Sequence, residues 1–258
     1  LLSIAAVFFL YEEFGKEKKP QLPPRISKPE KKHDAAPIKP AAKLKIAIVL
    51  DDLGTNRDIA AQVLHIKAPL TLSILPQQQY SSWIAEEGNK QGRDIIAHIP
   101  MEAANSKQLG AGGLYTWMTD SEIAETLNKD IHSVPHVKGI SSHMGSAFTQ
   151  DERSMNVVIK ELKKKKLFFL DSLTSAQSAG LRLAKTQGVS ASGRDVFLDD
   201  KDDPASISAQ WKRLLKIADT KGQAVLLAHP RENTIGFLQK ILKDNDQINV
   251  VPLSELVH

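Results

Sequence analysis

The sequence predicts an α/β fold, an irregular (β/α) barrel of seven to eight mostly parallel strands. Short runs rich in Ile, Val and Leu, such as residues 45–50, are typical of strands buried on both faces, as in parallel sheets. Segments of helical spacing follow most of these runs, and sequential strand–helix units predict parallel strands with right-handed crossovers. Seven or eight strands within about 215 residues favour a barrel.

The predicted strands are short and end at polar residues. The first, at 45–50, is followed by two adjacent carboxylates and a glycine, and the late strand at 223–228 is followed by a histidine. The predicted strands cover residues 45–50, 70–75, 94–97, 138–142, 167–170, 189–192, 223–228 and 248–251, and an extended run at 194–198 leads into an acidic loop at 199–203.

Three helix starts carry recognisable signals. Thr119 with Glu122, and Thr149 with Glu152, have the spacing of capping boxes, in which the threonine side chain and the glutamate each bond a free backbone N–H. Pro204 suits a first helical turn, where its missing N–H costs nothing. The predicted helices cover residues 56–66, 80–90, 119–131, 149 to the lysine cluster at 163–166, 176–186, 204–218 and 236–243.

Composition excludes several classes of site. Of the 34 basic and 30 acidic side chains, nine and five lie in residues 1–44, so residues 45–258 carry 25 of each and no net charge. The basic balance therefore belongs to the N-terminal part, and the domain offers no case for a nucleic-acid surface. The chain has no cysteine, so it holds no disulfide, thiolate nucleophile or thiolate zinc site.

The N-terminal part predicts export and a tether. Residues 1–11 are apolar and resemble the second half of a signal or anchor segment, and residues 12–43 are rich in Pro, Lys and Glu. Such a stretch buries too little apolar surface to fold, so we expect a disordered linker. Residues 44–258 form the predicted barrel domain. This layout predicts a domain on the periplasmic or extracellular side, held at the membrane.

Ionisable groups stand at the ends of five predicted strands. Parallel strands would gather these groups on one rim, where α/β barrels place their sites. Carboxylates and imidazoles without thiols suit Zn²⁺ or a related divalent ion, and one Asp with two His leaves a position for water or substrate. A second carboxylate and a further His would then serve an amide or ester hydrolysis as base and acid. The groups are Asp51 and Asp52, His98 with Glu102 four residues on, His143, Asp171 and His229.

Five segments together resemble the divergent polysaccharide deacetylases, a branch of the carbohydrate esterase superfamily with the NodB-type fold. They are residues 48–54, 98–102, 143–146, 169–172 and 227–230, and the resemblance covers the region from about 44 to 258. It implies an irregular (β/α) barrel of about seven strands. It also implies metal-dependent removal of N- or O-acetyl groups from sugar polymers.

The resemblance also implies roles for individual residues. Asp51 matches the general base, Asp52 and His98 match metal ligands, and His229 matches the late general acid. The second histidine of the family's His-x-x-x-His motif is replaced by Glu102. Either His143 or Glu102 is then the third ligand, and we favour His143. We add Asp171 to the candidate catalytic residues. No Arg-x-Pro-Tyr motif is present, and His143-Met144-Gly145-Ser146 stands in roughly its place.

The sequence therefore predicts a metal-dependent hydrolase, with Zn²⁺ as the expected ion, that removes acetyl groups from an envelope polysaccharide such as peptidoglycan or an exopolysaccharide. An acetylated glycan is the expected partner, and the N-terminal segment is the expected membrane tether. Two alternatives stay open at this point. One is a non-catalytic glycan-binding or envelope scaffold domain on the same fold, and the other is a metal-dependent hydrolase of another amide or ester.

Overall fold

A single parallel sheet organises the chain. The computed structural model describes residues 43–105, 108–243 and 247–258, and in these residues nine strands pair in parallel. The segment predicted at 1–11, and the linker predicted at 12–43 except for its last residue, lie outside the described residues. The strands are β1 Leu44–Leu53, β2 Thr71–Ile74, β3 Ile95–Met101, β4 Val137–Met144, β5 Phe168–Asp171, β6 Ala191–Gly193, β7 Val196–Phe197, β8 Gln223–Ala228 and β9 Ile248–Val250.

Helices follow most strands and cover the outside of the sheet. They are α1 Arg57–Leu64, α2 Ser81–Lys90, α3 Asp120–Ser133, α4 Glu152–Lys165, α5 Gly180–Gln187, α6 Pro204–Lys221 and α7 Glu232–Ile241, with short 3₁₀ turns at Phe148–Gln150 and Leu253–Glu255. In the part of the chain that the structure describes, no helix is long and apolar enough to cross a bilayer.

The sheet curls into an irregular barrel. Its strand order is β6-β5-β4-β3-β2-β1-β8-β7, and β9 pairs with the start of β1. The two edge strands, β6 and β7, are consecutive in the chain and separated only by Arg194 and Asp195. The Arg194 N–H donates to the Asp171 carbonyl near one edge, and the Asp195 N–H donates to the Val225 carbonyl near the other. The predicted (β/α) barrel is therefore confirmed, with a seam between β6 and β7.

Alternation along the strands separates two apolar cores. In β1 the side chains of Ile46, Ile48 and Leu50 belong to the large core between sheet and helices, and those of Ala47 and Val49 face the barrel interior. We call the interior core the barrel floor. Val251, Leu253 and Leu256, which follow β9, complete this core. Its residues are Ala47, Val49, Ile96, Phe168, Leu170, Val225, Leu227, Val251, Leu253 and Leu256.

Three interior rows lead from this floor to polar residues. Since side chains two apart share a face, Asp51 stands above Val49, His98 above Ile96 and His229 above Leu227. Each of these polar residues lies toward the carboxyl end of its strand or just beyond it. The barrel therefore has an apolar floor and a polar rim.

Several predicted boundaries differ from the structure. The capping box predicted at Thr149 is wrong, because Asp151 is the N-cap of α4 and its side chain accepts from the Ser154 N–H at 2.8 Å. Thr149 lies in a 3₁₀ turn, and its hydroxyl donates to the Gly145 carbonyl. The box at Thr119 is confirmed, as is the first-turn position of Pro204. Helix α5 begins later than predicted and α7 earlier, and β1, β3 and β4 extend through the polar rim residues.

Candidate metal centre

An irregularity in β1 brings two adjacent carboxylates to one side. In a regular strand, neighbouring side chains point to opposite faces. The pairing of β1 with β2 shifts register between Leu50 and Leu53, and Asp52 adopts a φ of 58°. Asp tolerates this left-handed conformation better than most residues, and such a bulge re-aims a side chain. As a result, both carboxylates approach the His98 ring, Asp51 Oδ1 at 3.6 Å from Nδ1 and Asp52 Oδ1 at 3.2 Å from Nε2.

Three side chains from three strands converge at this point. Asp52 Oδ1 lies 2.8 Å from Nδ1 of His143 as well as 3.2 Å from Nε2 of His98. One ligand atom from each residue lies within 4.8 Å of the other two. The two imidazole rings meet edge to face, with their centroids 5.1 Å apart. The three residues are 46 and 45 positions apart in the chain, and only the parallel sheet brings them together.

The donor set fits a divalent cation. Asp52 Oδ1 is shielded from solvent and accepts no hydrogen bond with acceptable geometry, although two imidazole nitrogens are near it. A buried, unsatisfied carboxylate oxygen is costly unless another group neutralises it. One carboxylate and two imidazoles form a ligand set typical of catalytic zinc sites, with coordination positions left for water or substrate. These residues would therefore hold a metal ion between them.

A chain of hydroxyls orients His98. Its Nδ1 lies 2.7 Å from the Ser141 hydroxyl, which lies 2.9 Å from the hydroxyl of Ser73. All three side chains are buried. With Nδ1 occupied by Ser141, Nε2 is the nitrogen that faces Asp52. Partners of this kind fix the tautomer and the orientation of a metal-binding histidine.

The surroundings shift the pKa values of the two carboxyl groups in opposite directions. Burial alone would raise the pKa of Asp52, but the imidazoles of His143 and His98 outweigh burial and hold it well below its usual range. Asp51 is only 2% exposed, and burial raises its pKa above the ordinary value despite the opposing effect of His98. Asp52 is therefore the better anionic ligand, and Asp51 is the better proton acceptor near neutral pH.

His229 approaches the same centre from β8 with a carboxylate behind it. Its Nε2 lies 3.5 Å from Asp52 Oδ2, and its Nδ1 lies 3.2 Å from Asp199 Oδ1. The buried Asp199 also accepts from the His229 N–H and from the Thr234 hydroxyl, each at 2.9 Å. Burial would lower the pKa of His229, but Asp199, and then Asp52 and Asp51, raise it. His229 can therefore carry a proton on Nε2, the ring nitrogen that faces Asp52.

Sequence reasoning did not single out Asp199 or Arg194. Asp199 follows the apolar run Val196–Leu198, just as Asp51 follows its own run, so the same strand-end argument would have found it. The Arg194 guanidinium donates to the carbonyls of Ser172 and Leu173, and its carbon lies 5.2 Å from the Phe197 ring. Its position depends on the seam between β6 and β7, and no local sequence signal reveals that seam.

Two predicted candidates are occupied by other contacts. The Glu102 carboxylate accepts from the Thr116 N–H at 2.7 Å and from the Thr116 hydroxyl at 2.6 Å, so it holds a loop, and His143 is the residue that meets Asp52. Asp171 accepts from the Leu173 N–H at 3.0 Å and from the Ser178 hydroxyl at 2.7 Å. The structure does not bring Asp171 into the cluster, and its catalytic role stays a prediction.

Comparison with known proteins decides the family. The family described as divergent polysaccharide deacetylase matches residues 48–257. The chain belongs to this family. The resemblance expected from the five sequence segments is therefore confirmed, and the matched region contains each of the candidate site residues named above.

Relatives of this chain are found in several bacteria. An uncharacterized protein of Haemophilus influenzae is 34% identical over 216 residues, which cover 83% of this chain and 77% of that protein. The uncharacterized protein YibQ of Escherichia coli is 30% identical over 215 residues, covering 83% of this chain and 67% of YibQ. The crystal structure of the uncharacterized protein ATU2773 from Agrobacterium tumefaciens superposes with a TM-score of 0.81 at 24% identity, covering 86% and 92% of the two chains. This likeness shows the shared fold.

Proposed function

We propose that this chain is a metal-dependent hydrolase that removes acetyl groups from an envelope polysaccharide, with Zn²⁺ as the ion. The observation that carries the proposal is the convergence of Asp52, His98 and His143, with a shielded carboxylate oxygen between two imidazole nitrogens. Membership in the divergent polysaccharide deacetylases supports the deacetylase-like character of the reaction. The geometry supports a hydrolytic site at the barrel rim.

The reaction adds water across the bond between the acetyl carbon and a sugar nitrogen or oxygen, and releases acetate. A bound cation would supply Lewis acidity toward the acetyl carbonyl and would lower the pKa of a water molecule. The chain's own residues then have to move two protons. One leaves the attacking water, and the other arrives on the departing nitrogen or oxygen.

Asp51 and His229 are suited to these two transfers. Burial gives Asp51 a raised pKa, and its Oδ1 accepts no hydrogen bond, so it is available to take a proton from water. His229 presents Nε2 toward the cluster while Asp199 holds Nδ1, which suits a proton donor to the leaving group. Acid–base catalysis often uses two titratable groups whose surroundings make one a proton acceptor and the other a proton donor.

The proposal includes an exported location. It rests on the sequence of residues 1–43, an apolar stretch followed by a Pro- and Lys-rich stretch, which is typical of a domain held at a membrane by a spacer. An envelope location would put the barrel next to acetylated glycans. Fractionation of cells that produce the protein with an intact hydrophobic N-terminal segment tests this part, and recovery of that protein in the cytoplasmic fraction alone would contradict it.

The experiment for the activity uses the full chain with defined metal content. We expect chelation to remove one equivalent of metal, measured by mass spectrometry, and re-addition of Zn²⁺ to restore acetate release from N-acetylglucosamine hexasaccharide or peptidoglycan. A His229→Gln variant serves as the control, since it should keep the metal and lose most of the turnover.

Two results would overturn the proposal. A chain that holds Zn²⁺ and binds glycans without releasing acetate would be a binding or scaffold domain. A chain that hydrolyses model amides, esters or phosphoesters but no acetylated glycan would be a hydrolase of another class.

A further inference from the structure

One loop at the barrel rim presents an aromatic pair, an exposed Trp117 stacked on a half-buried Tyr115. Trp117 is 72% exposed, and within residues 43–105, 108–243 and 247–258 it is the large apolar side chain that lies open to solvent. Its ring stacks on that of Tyr115, with centroids 5.4 Å apart and planes inclined by 22°. Exposing an indole to water is unfavourable, and an exposed, ordered aromatic surface often marks a binding site.

The loop that carries this aromatic pair is firmly anchored. Both donors of Thr116, which lies between the two aromatics, bond the Glu102 carboxylate. The Arg153 guanidinium on α4 donates to the carbonyls of Thr116 and Met118, at 2.6 and 2.9 Å, and pairs with Asp120 at 2.6 Å. Residues on both sides of Trp117 are therefore fixed, and a ligand would pay little conformational entropy for ordering them.

A close packing contact holds the start of the same loop. Gly112 has a φ of 76°, and a Cβ there would lie 2.2 Å from Oδ1 of Asp130. Only glycine allows the backbone to approach α3 this closely. The loop is thus pressed against α3 at Gly112 and tied to α4 and β3 further on.

The aromatic pair lies at the rim that carries the candidate metal centre. Leu114 extends the sheet beside β3, since its N–H donates to the Pro100 carbonyl and its carbonyl accepts from the Glu102 N–H, both at 2.9 Å. Glu102 follows His98 by four residues, a rise of about 13 Å along an extended chain. The pair therefore stands beyond the metal-binding cluster on the same side of the barrel.

We infer that Tyr115 and Trp117 form a sugar-binding platform, on which one pyranose ring of a polymeric substrate stacks while another unit of the same polymer occupies the metal centre. The inference rests on the proposed function for the identity of the polymer. A pyranose presents a face of C–H groups that packs on an indole, and its rim of hydroxyls suits polar surroundings.

The surroundings of the platform favour a glycan over other occupants. The charges beside it are balanced, since Asp120 pairs with Arg153 and Glu122 caps α3 together with Thr119, so the platform lacks the cluster of basic residues that an anionic membrane surface attracts. A stable protein interface needs about 1,000 Å² with a cluster of apolar anchors, and among the described residues the large exposed apolar side chain here is that of Trp117 alone, stacked on the half-buried Tyr115.

The role of Glu102 follows from this inference. It occupies the position at which the related enzymes' motif has a histidine, and its carboxylate instead fixes Thr116. Glu102 is thus a positioning residue for the platform.

The test compares substrate lengths with Trp117→Ala and its matched control Trp117→Phe. We expect Trp117→Ala to raise the KM for N-acetylglucosamine hexasaccharide about tenfold with kcat unchanged, and to change the KM for the disaccharide less than twofold. Trp117→Phe keeps a ring and should stay near the parent protein. Direct titration of metal-free protein with the hexasaccharide, by calorimetry, should show the same loss of affinity without any turnover.

A second pair of variants tests the positioning residue. Glu102→Ala should weaken hexasaccharide binding in the same direction as Trp117→Ala and leave the Zn²⁺ content at the parent level. Glu102→Gln keeps an acceptor oxygen for Thr116 and should restore most of the affinity. Loss of the metal in Glu102→Ala would instead make Glu102 a ligand and overturn its positioning role.

The outcomes separate the platform from the proposed function. Hexasaccharide binding that depends on Trp117, in a protein that releases no acetate, supports the platform and refutes the deacetylase proposal. Acetate release that is the same in Trp117→Ala at every length overturns the platform and leaves the deacetylase proposal intact. Failure of the parent protein to bind the hexasaccharide or peptidoglycan fragments, or a change limited to self-association or vesicle binding, also overturns the platform.

Discussion

The floor and the rim of the barrel interior are built from the same strands and obey different rules. The floor is apolar and buried, with residues such as Val49, Leu170 and Leu227. One step further along the strands, the rim carries buried and half-buried carboxylates and imidazoles, a bulge in β1 and a left-handed Asp52. The floor satisfies the ordinary requirements of packing. The rim retains a strained backbone at Asp52 and shielded carboxylate oxygens without hydrogen bonds, and packing alone does not explain these unfavourable features.

This difference separates stability from function. Apolar burial in the floor contributes to the free energy of folding roughly in proportion to the area removed from water. The rim instead keeps Asp52 Oδ1 shielded and without a hydrogen bond, which a folded chain tolerates where a ligand satisfies it. Substitutions at the rim should therefore change binding and catalysis, and substitutions in the floor should change the free energy of unfolding.

The largest effect is expected at Asp52, the carboxylate proposed to bind the metal. Asp52→Asn keeps a side chain that tolerates the left-handed backbone and removes the charge that the two imidazoles face. We expect loss of stoichiometric Zn²⁺ binding and of activity, with a free energy of unfolding within about 1 kcal/mol of the parent metal-free protein. Metal analysis and denaturant unfolding measure the two quantities. Asp58→Asn, at an exposed acid, is the control, and global unfolding of Asp52→Asn would erase the contrast between rim and floor.

The next effect is expected behind His229. Asp199→Asn leaves the shape of the buried side chain and removes the charge that holds Nδ1 of His229. We expect kcat to fall about 100-fold, since a misplaced or less basic imidazole is a poorer proton donor and acceptor. The Zn²⁺ content should not change. Asp200→Asn, at the exposed neighbouring acid, should be close to the parent protein, and equal losses in the two variants would argue against a specific role for Asp199.

In the barrel floor, a substitution should lower the free energy of unfolding and leave metal binding unchanged. Leu170 is fully buried there, and Leu170→Ala removes three carbon atoms from a closed core. We expect a loss of about 3 kcal/mol in the free energy of unfolding, measured with urea, and an unchanged Zn²⁺ affinity at temperatures where the variant is folded. A variant that lost metal in proportion to its stability would show that floor and rim are one cooperative unit.

Asp130, which lies outside both regions, shows how burial changes the pKa of a carboxyl group that has no imidazole beside it. Asp130 on α3 is buried with Gln77 as a hydrogen-bond donor and no imidazole, and burial raises its pKa from 3.8 to about 7. Because the folded pKa lies above the unfolded one, the stability from protonated Asp130 is complete below about pH 4 and is lost as the pH rises through 7. We expect the free energy of unfolding to fall by about 2 kcal/mol between pH 5 and pH 7.

The control for this pH dependence is built into the chain. Asp130→Asn should reduce the slope by the contribution of Asp130, and Asp219→Asn, at an exposed position of α6, should leave the slope at the parent value. Denaturant curves at pH 5, 6, 7 and 8 for the three proteins supply the measurement. An unchanged slope in Asp130→Asn would mean that Asp130 titrates as an ordinary surface carboxylate.

Much of the sheet and of the candidate site could be predicted from the sequence, because the ends of the strands can be recognised in it. Apolar runs that stop at Asp, His or Glu identify both a parallel sheet and its rim, and that reasoning placed Asp52, His98 and His143 on one side of the barrel before their distances were known. The capping box at Thr119 was equally legible, because its two partners lie three residues apart.

The remaining features depend on contacts between distant parts of the chain. Nothing local in the sequence indicates a bulge at Asp51 and Asp52, since it arises from the register with β2. The Glu102 carboxylate resembles a ligand until its bonds to Thr116, fourteen residues away, are seen. The seam between β6 and β7, which places Arg194, follows from the curvature of the whole sheet.

The pairing of β1 with strands from distant parts of the sequence determines when, during synthesis, β1 can complete its folding. One flank of β1 is covered by β8, about 180 residues later, and its start is covered by β9 near the C-terminus. During synthesis, the strand bearing Asp51 and Asp52 has an apolar, unpaired flank until residues 223–228 have been made. Non-local parallel pairings of this kind form slowly and are exposed to aggregation in the meantime. A chain cut before residue 223 would therefore be expected to need a chaperone, and His229 joins Asp51 and Asp52 only after β8 has paired with β1.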